Sequence, residues 1–382
     1  MGVSPDVGRE GSPEGSATNY FFEYGTTTAY GSKAPAAGES AGSGVVGVAV
    51  SQALSGLTAG TTYHYRVVAT SAEGTTKGAD KTFTTWMPTT VFQAASGMLW
   101  IYSPAIGANS TVLGMKAATS PSITALASGE REVAFQDNKG NLWVYALNVG
   151  PASTGLGMMA ATSPSIAPYS GGSYMAAFQD NTGSLWTYSP AVGAKATMLG
   201  MKVGTSPSIT ALTGGGNQVA FQDNKGNLWI YSPTTGAANT GLGMMAATSP
   251  SIAPSSAGSY MAAFQDNTGF LWTYSPTSGA KATGWAMKAG TSPAIAILTD
   301  GSARVAYEAP NNELRIYSSA TGQSTATGLG MLAGTSPTIT ARLSGSYEAA
   351  FQANNGELWL YAPSSGKGTG LGMMAGTGPG LG

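Results

Sequence analysis

Residues 134–145 read Ala134-Phe135-Gln136-Asp137-Asn138-Lys139-Gly140-Asn141-Leu142-Trp143-Val144-Tyr145, and close copies of this phrase recur down the chain. Its tryptophan position holds Trp100, Trp143, Trp186, Trp229, Trp272, Arg315 and Trp359, five steps of 43 residues and one of 44. A period of about 40 to 50 residues with several short strands per unit is the pattern of a β-propeller. The seven units predict an all-β, seven-bladed β-propeller with four-stranded blades over residues 86–382.

One blade can be read from residues 121 to 163. Pro121-Ser-Ile-Thr-Ala-Leu126 opens with a proline, which suits the first residue of a strand. Glu132-Val-Ala-Phe135-Gln, Asn141-Leu-Trp143-Val-Tyr145 and Thr154-Gly-Leu-Gly-Met-Met159 are the second, third and fourth strands. The turn Asp137-Asn-Lys-Gly140-Asn joins the middle two, its glycine supplying the left-handed residue of a short hairpin loop. Asn312 takes that place in the sixth unit.

The array starts at Val91-Phe92-Gln93, a second strand, and ends with Gly376-Thr-Gly-Pro379-Gly-Leu-Gly382. Pro379 follows Pro337 by 42 residues, so the C-terminal residues are in register to supply blade one's missing strand and close the ring. Closure removes the free edges of an open array. With no Ile and two glycines around Pro379, a weak clasp is expected. Residues 134–188 and 220–274 nearly repeat at a step of 86, so the blades come in two flavours, as recent duplication explains.

Residues 19–85 lack the repeat and alternate as strands: 19–24, 45–53, 63–70 and 80–84. The run Leu57-Thr-Ala-Gly-Thr-Thr-Tyr63-His-Tyr-Arg-Val67, with Phe21-Phe-Glu-Tyr24-Gly and Thr82-Phe-Thr-Thr85, resembles a fibronectin type III domain. In such sandwiches a tyrosine at the start of one strand turns its hydroxyl onto backbone. The resemblance implies two more strands before Asn19. Residues 1–18, rich in Gly, Pro, Ser, Asp and Glu, are read as a disordered segment that cannot supply them. The expectation is an incomplete fibronectin III-like sandwich in an N-terminally truncated chain, whose lost upstream part carried an export signal.

Composition narrows the chemistry. Hydrophobic residues are 42% of the 382, enough for a core, and charged residues only 9%, against about a quarter in an ordinary soluble protein. Gly (55) and Pro (20) fit many tight turns. A net charge of -1 without basic runs excludes nucleic acid as a partner. No apolar run nears the ~18 residues of a spanning helix, so no membrane insertion is expected. With no Cys and one His, His64, disulfides, thiolate catalysis, Ser-His-Asp triads and Cys or poly-His metal sites drop out. His64 reads as a solvated strand residue. The Asp-Asn-x-Gly run has too few carboxylates for calcium, so no metal and no cofactor are expected.

A hydrolase needs carboxylates paired at a set separation. Asp137, Asp180, Asp223 and Asp266 instead occupy one equivalent turn position, and Glu308 and Glu313 have no base beside them. No enzyme is expected. Amides and aromatics dominate each unit, and that mix binds sugars: amides bond hydroxyls and aromatic faces cover C–H patches. Repetition converts weak sites into avidity. The candidate carbohydrate-binding residues are Asn138, Trp143, Tyr145, Asn181, Trp186, Tyr188, Asn224, Trp229, Tyr231, Asn267, Trp272, Tyr274, Asn354 and Trp359. The same residues have structural uses. The tryptophan can pack between blades, the asparagine can form the turn, and the buried-pattern glutamine can bond backbone. Met158-Met159 and its copies are flexible core filler. Blade one, with Ala94-Ala95-Ser96, and blade six, with Pro310 and Arg315, are expected to be silent or altered.

The order Ser-x-Pro-x-Ile, Val-Ala-Phe-Gln, Gly-x-Leu-Trp, Leu-Gly-Met over residues 91–382 resembles tectonin-type repeats and bacterial fucose-binding seven-bladed propeller lectins. The Asn-x-Gly-x-x-Trp spacing also resembles an Asp-box hairpin. Met158, Met201 and Met244 stand where that family has a second glycine, and only Trp285 answers its tryptophan-rich fourth strand. The resemblance implies multivalent glycan or polysaccharide binding, outside the cell or on its surface. The alternatives are a scaffold for protein partners and a polysaccharide-processing enzyme.

Overall fold

The computed structural model describes residues 2–3, 15–54, 57, 61–85, 88–255, 258–342, 344–363 and 365–382. The chain divides into Met1–Pro88 and Thr89–Gly382. Both are β structures, and helix among the described residues is limited to short 3₁₀ turns at Ser170–Gly172 and Gly258. No helix there is long and apolar enough to cross a membrane.

In the first unit, Ser32–Gly42, Thr18–Gly25, Thr62–Ser71 and Gly74–Lys77 are hydrogen-bonded in that order, and Lys81–Thr84 also pairs Thr62–Ser71. Tyr20, Phe22 and Tyr65 are buried together, with Tyr24, Val67 and Phe83 packed against them. Tyr63 stacks on Phe83 at 5.6 Å. Two expectations fail here. Ser32–Gly42 is a strand although its small residues give no alternation; it is an edge strand, where Pro35 removes no needed donor. Within 45–53 only Gln52–Ala53 pairs, with Gly2–Val3, and Val45 and Val46 are 76% and 74% exposed. The expected disordered segment falls mostly on residues 4–14, outside the described residues.

Among the described residues of the second unit there are seven four-stranded antiparallel sheets. Sheet 2 serves for all: Ser122–Ala125, Arg131–Gln136, Asn141–Ala146 and Gly150–Gly157, in sequence order. Phe135 lies opposite Trp143 and Val133 opposite Tyr145. Residues on one face of these strands pack on the preceding sheet and those on the other face on the next. Val133, Phe135, Trp143 and Tyr145 join Leu99 and Met115 of sheet 1, while Ala134, Leu142 and Val144 join Ile166 and Phe178 of sheet 3. Seven such clusters exist, each spanning two successive sheets. Sheet 7 packs on sheet 1 through Leu358, Leu360 and Met373 against Phe92 and Trp100. These are the four-stranded antiparallel sheets of a β-propeller.

Sheet 1 takes its first strand, Gly380–Leu381, from the C-terminus, beside Thr90–Gln93. Leu381 stands where the other sheets carry Ile and is buried in the cluster between sheets 7 and 1. The glycines thought to weaken the clasp are needed for close approach: a Cβ on Gly378 would lie 2.7 Å from the Ser336 carbonyl oxygen, and one on Gly380 2.7 Å from that of Pro121. The serine before each proline links the first strands in a series that stays open between Ser336 and Gly378. Ser120, Ser163, Ser206, Ser249 and Ser292 each donate their N–H to the Oγ of the corresponding serine one sheet on, at 2.8–3.0 Å. Gly378 N–H donates to Ser120 Oγ at 2.8 Å and joins sheet 1 to sheet 2 in the same way.

Each outer strand bulges, and the bulge residue has positive φ. It is glycine in five sheets (Gly155, Gly241, Gly284, Gly328, Gly370) but Val112 (φ 55) in sheet 1 and Met198 (φ 61) in sheet 3. A β-branched residue is strained in this left-handed region. Val112 is 81% exposed, so packing gives nothing in return. Val112→Gly is expected to raise stability by about 1 kcal/mol, read as a higher urea midpoint. An unchanged or lower midpoint would show the bulge to be unstrained.

Candidate functional site

The predicted residues line up along the junctions between sheets. Asn138, Asn181, Asn224, Asn267 and Asn354 are exposed in the turns at one end of the sheets. Each side chain lies across the junction against a glycine of the preceding outer strand: a Cβ on Gly157 would come 3.0 Å from Asn181 Nδ2, and one on Gly330 2.8 Å from Asn354 Nδ2. Where Pro310 replaces the asparagine, the facing glycine is Ala286. Sequence reasoning treated the two positions separately, and the structure pairs them.

Trp143, Trp186, Trp229, Trp272 and Trp359 are half-buried on the face toward the preceding sheet, where each meets a leucine (Leu113, Leu156, Leu199, Leu242, Leu329). Their rings are therefore packing residues that remain partly exposed. The junction between sheets 5 and 6 exchanges the roles. Trp285 holds the leucine position and Arg315 the tryptophan position, with the guanidinium 5.9 Å from the ring centroid. Arg315 Nε also donates to Glu313 Oε2 at 3.3 Å. This swap explains the lone fourth-strand tryptophan.

Tyr145, Tyr188 and Tyr274 lie two residues beyond the tryptophans on the same face and are half-buried, whereas Tyr231 is 5% exposed. The junctions between sheets 1 and 2, 2 and 3, and 4 and 5 thus carry in line an exposed amide, a half-buried indole and a half-buried phenol; between sheets 3 and 4 and sheets 6 and 7 the phenol, Tyr231 or Tyr361, is buried, and between sheets 5 and 6 Pro310 and Arg315 replace the amide and the indole.

The glutamines play another part. Gln93, Gln136, Gln179, Gln222, Gln265 and Gln352 are fully buried. Their Nε2 groups donate to the carbonyls of the crossover leaving the outer strand, as Gln136 does to Met158 and Met159 at 3.2 Å each. They brace the crossover and do not join these lines. At this position sheet 6 has Glu308, fully buried, which accepts Gly334 N–H at Oε2 (3.1 Å). Burial pushes its carboxyl up to about 7, against the pull of that N–H and of the Lys288 charge.

The turn aspartates are likewise engaged. Asp137 Oδ1 accepts the N–H groups of Lys139 and Asn141 at 3.0 and 2.7 Å. Asp223 does the same for Lys225 and Asn227, and its Oδ2 accepts Trp229 Nε1–H at 2.9 Å. They hold hairpins rather than face a common centre. His64 is half-exposed in the first unit, its Nδ1 2.8 Å from Asp80 Oδ2, a partner its alternation did not reveal. That hydrogen bond, with one from Tyr30, holds the Asp80 carboxyl below its usual range. Among the described residues no group of three or more His, Cys, Asp or Glu is placed to hold a metal ion.

No family model and no curated protein matches this chain. Solved structures with a similar chain path include a fucose-specific lectin from Aleuria aurantia, at 12% identity, covering 66% of this chain and 94% of that one with a TM-score of 0.47. AofleA from Arthrobotrys oligospora has 13% identity, 66% and 86% coverage and a TM-score of 0.47. Virginiamycin B lyase from Staphylococcus aureus has 13% identity, 66% and 85% coverage and a TM-score of 0.46. Lectins and a lyase thus stand side by side at this level of likeness, which identifies no ligand.

Proposed function

We propose that residues 89–382 are a seven-bladed β-propeller that binds glycans without catalysis, multivalently, through the junctions between its blades, outside the producing cell or on a cell surface. The observation that carries this reading is a line along the junctions, an exposed amide, a half-buried indole and a phenol, complete between sheets 1 and 2, 2 and 3, and 4 and 5. Hydroxyl-rich ligands match amides by hydrogen bonding and aromatic faces by C–H contact. Binding by any one junction is weak, and repetition supplies avidity on a dense glycan surface. The aspartates favour binding over turnover, because each is committed to its own hairpin. Residues 19–85 are read as a partial fibronectin III-like domain, supported by the order of their strands and the aromatic face they bury.

The test is retention of the full chain on a series of monosaccharide-agarose columns. Expected is retention on at least one resin and elution by the matching free sugar, with no release of reducing ends from polysaccharide. Passage through every resin by folded protein would contradict the reading.

A further inference from the structure

Tyrosines are unevenly spread over the seven junctions. Tyr174, Tyr260 and Tyr347 stand near the start of the second strands of sheets 3, 5 and 7, at the end away from the Asp-Asn turns. Each has a tyrosine of the neighbouring third strand beside it. Tyr174 and Tyr188 have ring centroids 6.5 Å apart at 53°, and Tyr347 and Tyr361 6.4 Å apart at 43°. Tyr260 and Tyr274 pack together against sheet 4. The positions matching Tyr174 in sheets 2, 4 and 6 are Arg131, Asn217 and Ala303, so no such pair arises there.

The preceding sheet matches this alternation. Glu132, Gln218 and Arg304, on sheets 2, 4 and 6, occupy the strand position that faces the next sheet. The charge of Glu132 acts on Tyr174 and that of Arg304 on Tyr347. At the junctions between sheets 3 and 4 and between sheets 5 and 6 that position is Met175 or Met261, and the second strand carries Asn217 or Ala303, so no aromatic pair forms; Tyr361, like Tyr231 and Tyr317, is itself buried, which leaves Tyr347 as the half-buried ring of its pair. Three alternate junctions, at steps of 86 and 87 residues, therefore combine an aromatic pair with a hydrogen-bonding side chain.

The nature of that side chain selects the ligand. An ionised Glu accepts, an amide does both, and Arg only donates. An ionic ligand would meet a like charge at one of the three. A hydroxyl donates and accepts, so a neutral polyhydroxy ligand suits all three, and a pair of tilted aromatic rings covers its C–H face. Burial pushes the Tyr260 and Tyr347 hydroxyls up to about 12, and Tyr174 is likewise raised, so all three stay neutral.

The geometry points to the tyrosine ends of the junctions between sheets 2 and 3, 4 and 5, and 6 and 7 as three saccharide subsites, giving the chain a valence of three. This rests on the carbohydrate reading above. The test is native mass spectrometry of the full chain, titrated with the methyl glycosides of galactose, glucose, mannose, fucose and N-acetylglucosamine in turn. Saturation at three sugars per chain is expected, falling to two in Tyr260→Ala and, independently, in Gln218→Ala, which leaves the aromatic pair in place. Saturation at another number, or three sugars retained in folded Tyr260→Ala, would overturn the three-site assignment and leave carbohydrate binding standing. No bound sugar from any glycoside would overturn both.

Discussion

Removing residues 379–382 destabilises the second unit by about 5 kcal/mol and lowers its melting temperature by roughly 10 °C. The estimate combines burial of one leucine, about 2 to 3 kcal/mol, with a few backbone hydrogen bonds of about 1 kcal/mol each, and converts at a few degrees per kcal/mol. The groups involved are specific. Leu381 is 8% exposed in the cluster between sheets 7 and 1, and Gly382 and Thr89 exchange both backbone hydrogen bonds at 3.0 and 2.9 Å. Loss of the strand also bares Val91 and Phe92, both fully buried in the intact chain. Calorimetry of the truncated chain checks this. Leu381→Ala alone should lose about half the effect, and a truncated chain that melts with the intact one would show the C-terminal strand to be dispensable.

Glu308→Gln gives the second large effect, and its sign depends on pH. The carboxyl rises from 4.5 to about 7 on folding because it is buried. Below pH 4.5 both folded and unfolded chains carry it protonated, and the full stability of the neutral acid is present. Between 4.5 and about 7 the unfolded chain ionises first, so stability falls as pH rises, levelling off once the folded acid has ionised. The loss is about 3 kcal/mol at 1.4 kcal/mol per unit. Glutamine is what the other six sheets carry, donating to crossover carbonyls that an ionised glutamate cannot serve. Glu308→Gln should therefore match the parent chain near pH 4 and exceed it by about 3 kcal/mol at pH 8. Urea unfolding across that range reads the difference, and a pH-independent gap would mean that Glu308 does not titrate between the two states.

Strand identity was legible wherever large residues recur at a fixed step. Phe135, Leu142, Trp143 and Tyr145 define the two middle strands because a strand packed on both faces buries apolar residues in succession, as Val133, Ala134 and Phe135 do. The pairing of the C-terminal strand with Thr90–Gln93 was legible from the register of Pro379, although Leu381 replaces Ile. The strand Ser32–Gly42 was not legible, because a half-exposed edge of Ala, Gly and Ser carries no alternation. The site was harder to read for a different reason. A junction is made by two sheets, so its partners are distant in sequence: Asn181 against Gly157, Arg315 against Trp285, Tyr174 against Glu132. Periodicity marks which residues recur and is blind to which recurring residues meet. Gln136 shows the converse. Its amide fits a ligand role by type, and only its full burial on the Met158 and Met159 carbonyls assigns it to the scaffold.

The central claim is that the junctions recognise carbohydrate, and a printed glycan array probed with the full chain addresses it most directly. The account predicts saturable binding to one sugar class, abolished by the same sugar in solution. A blank array from chain whose melting transition is intact would contradict it and leave the junctions as packing seams alone.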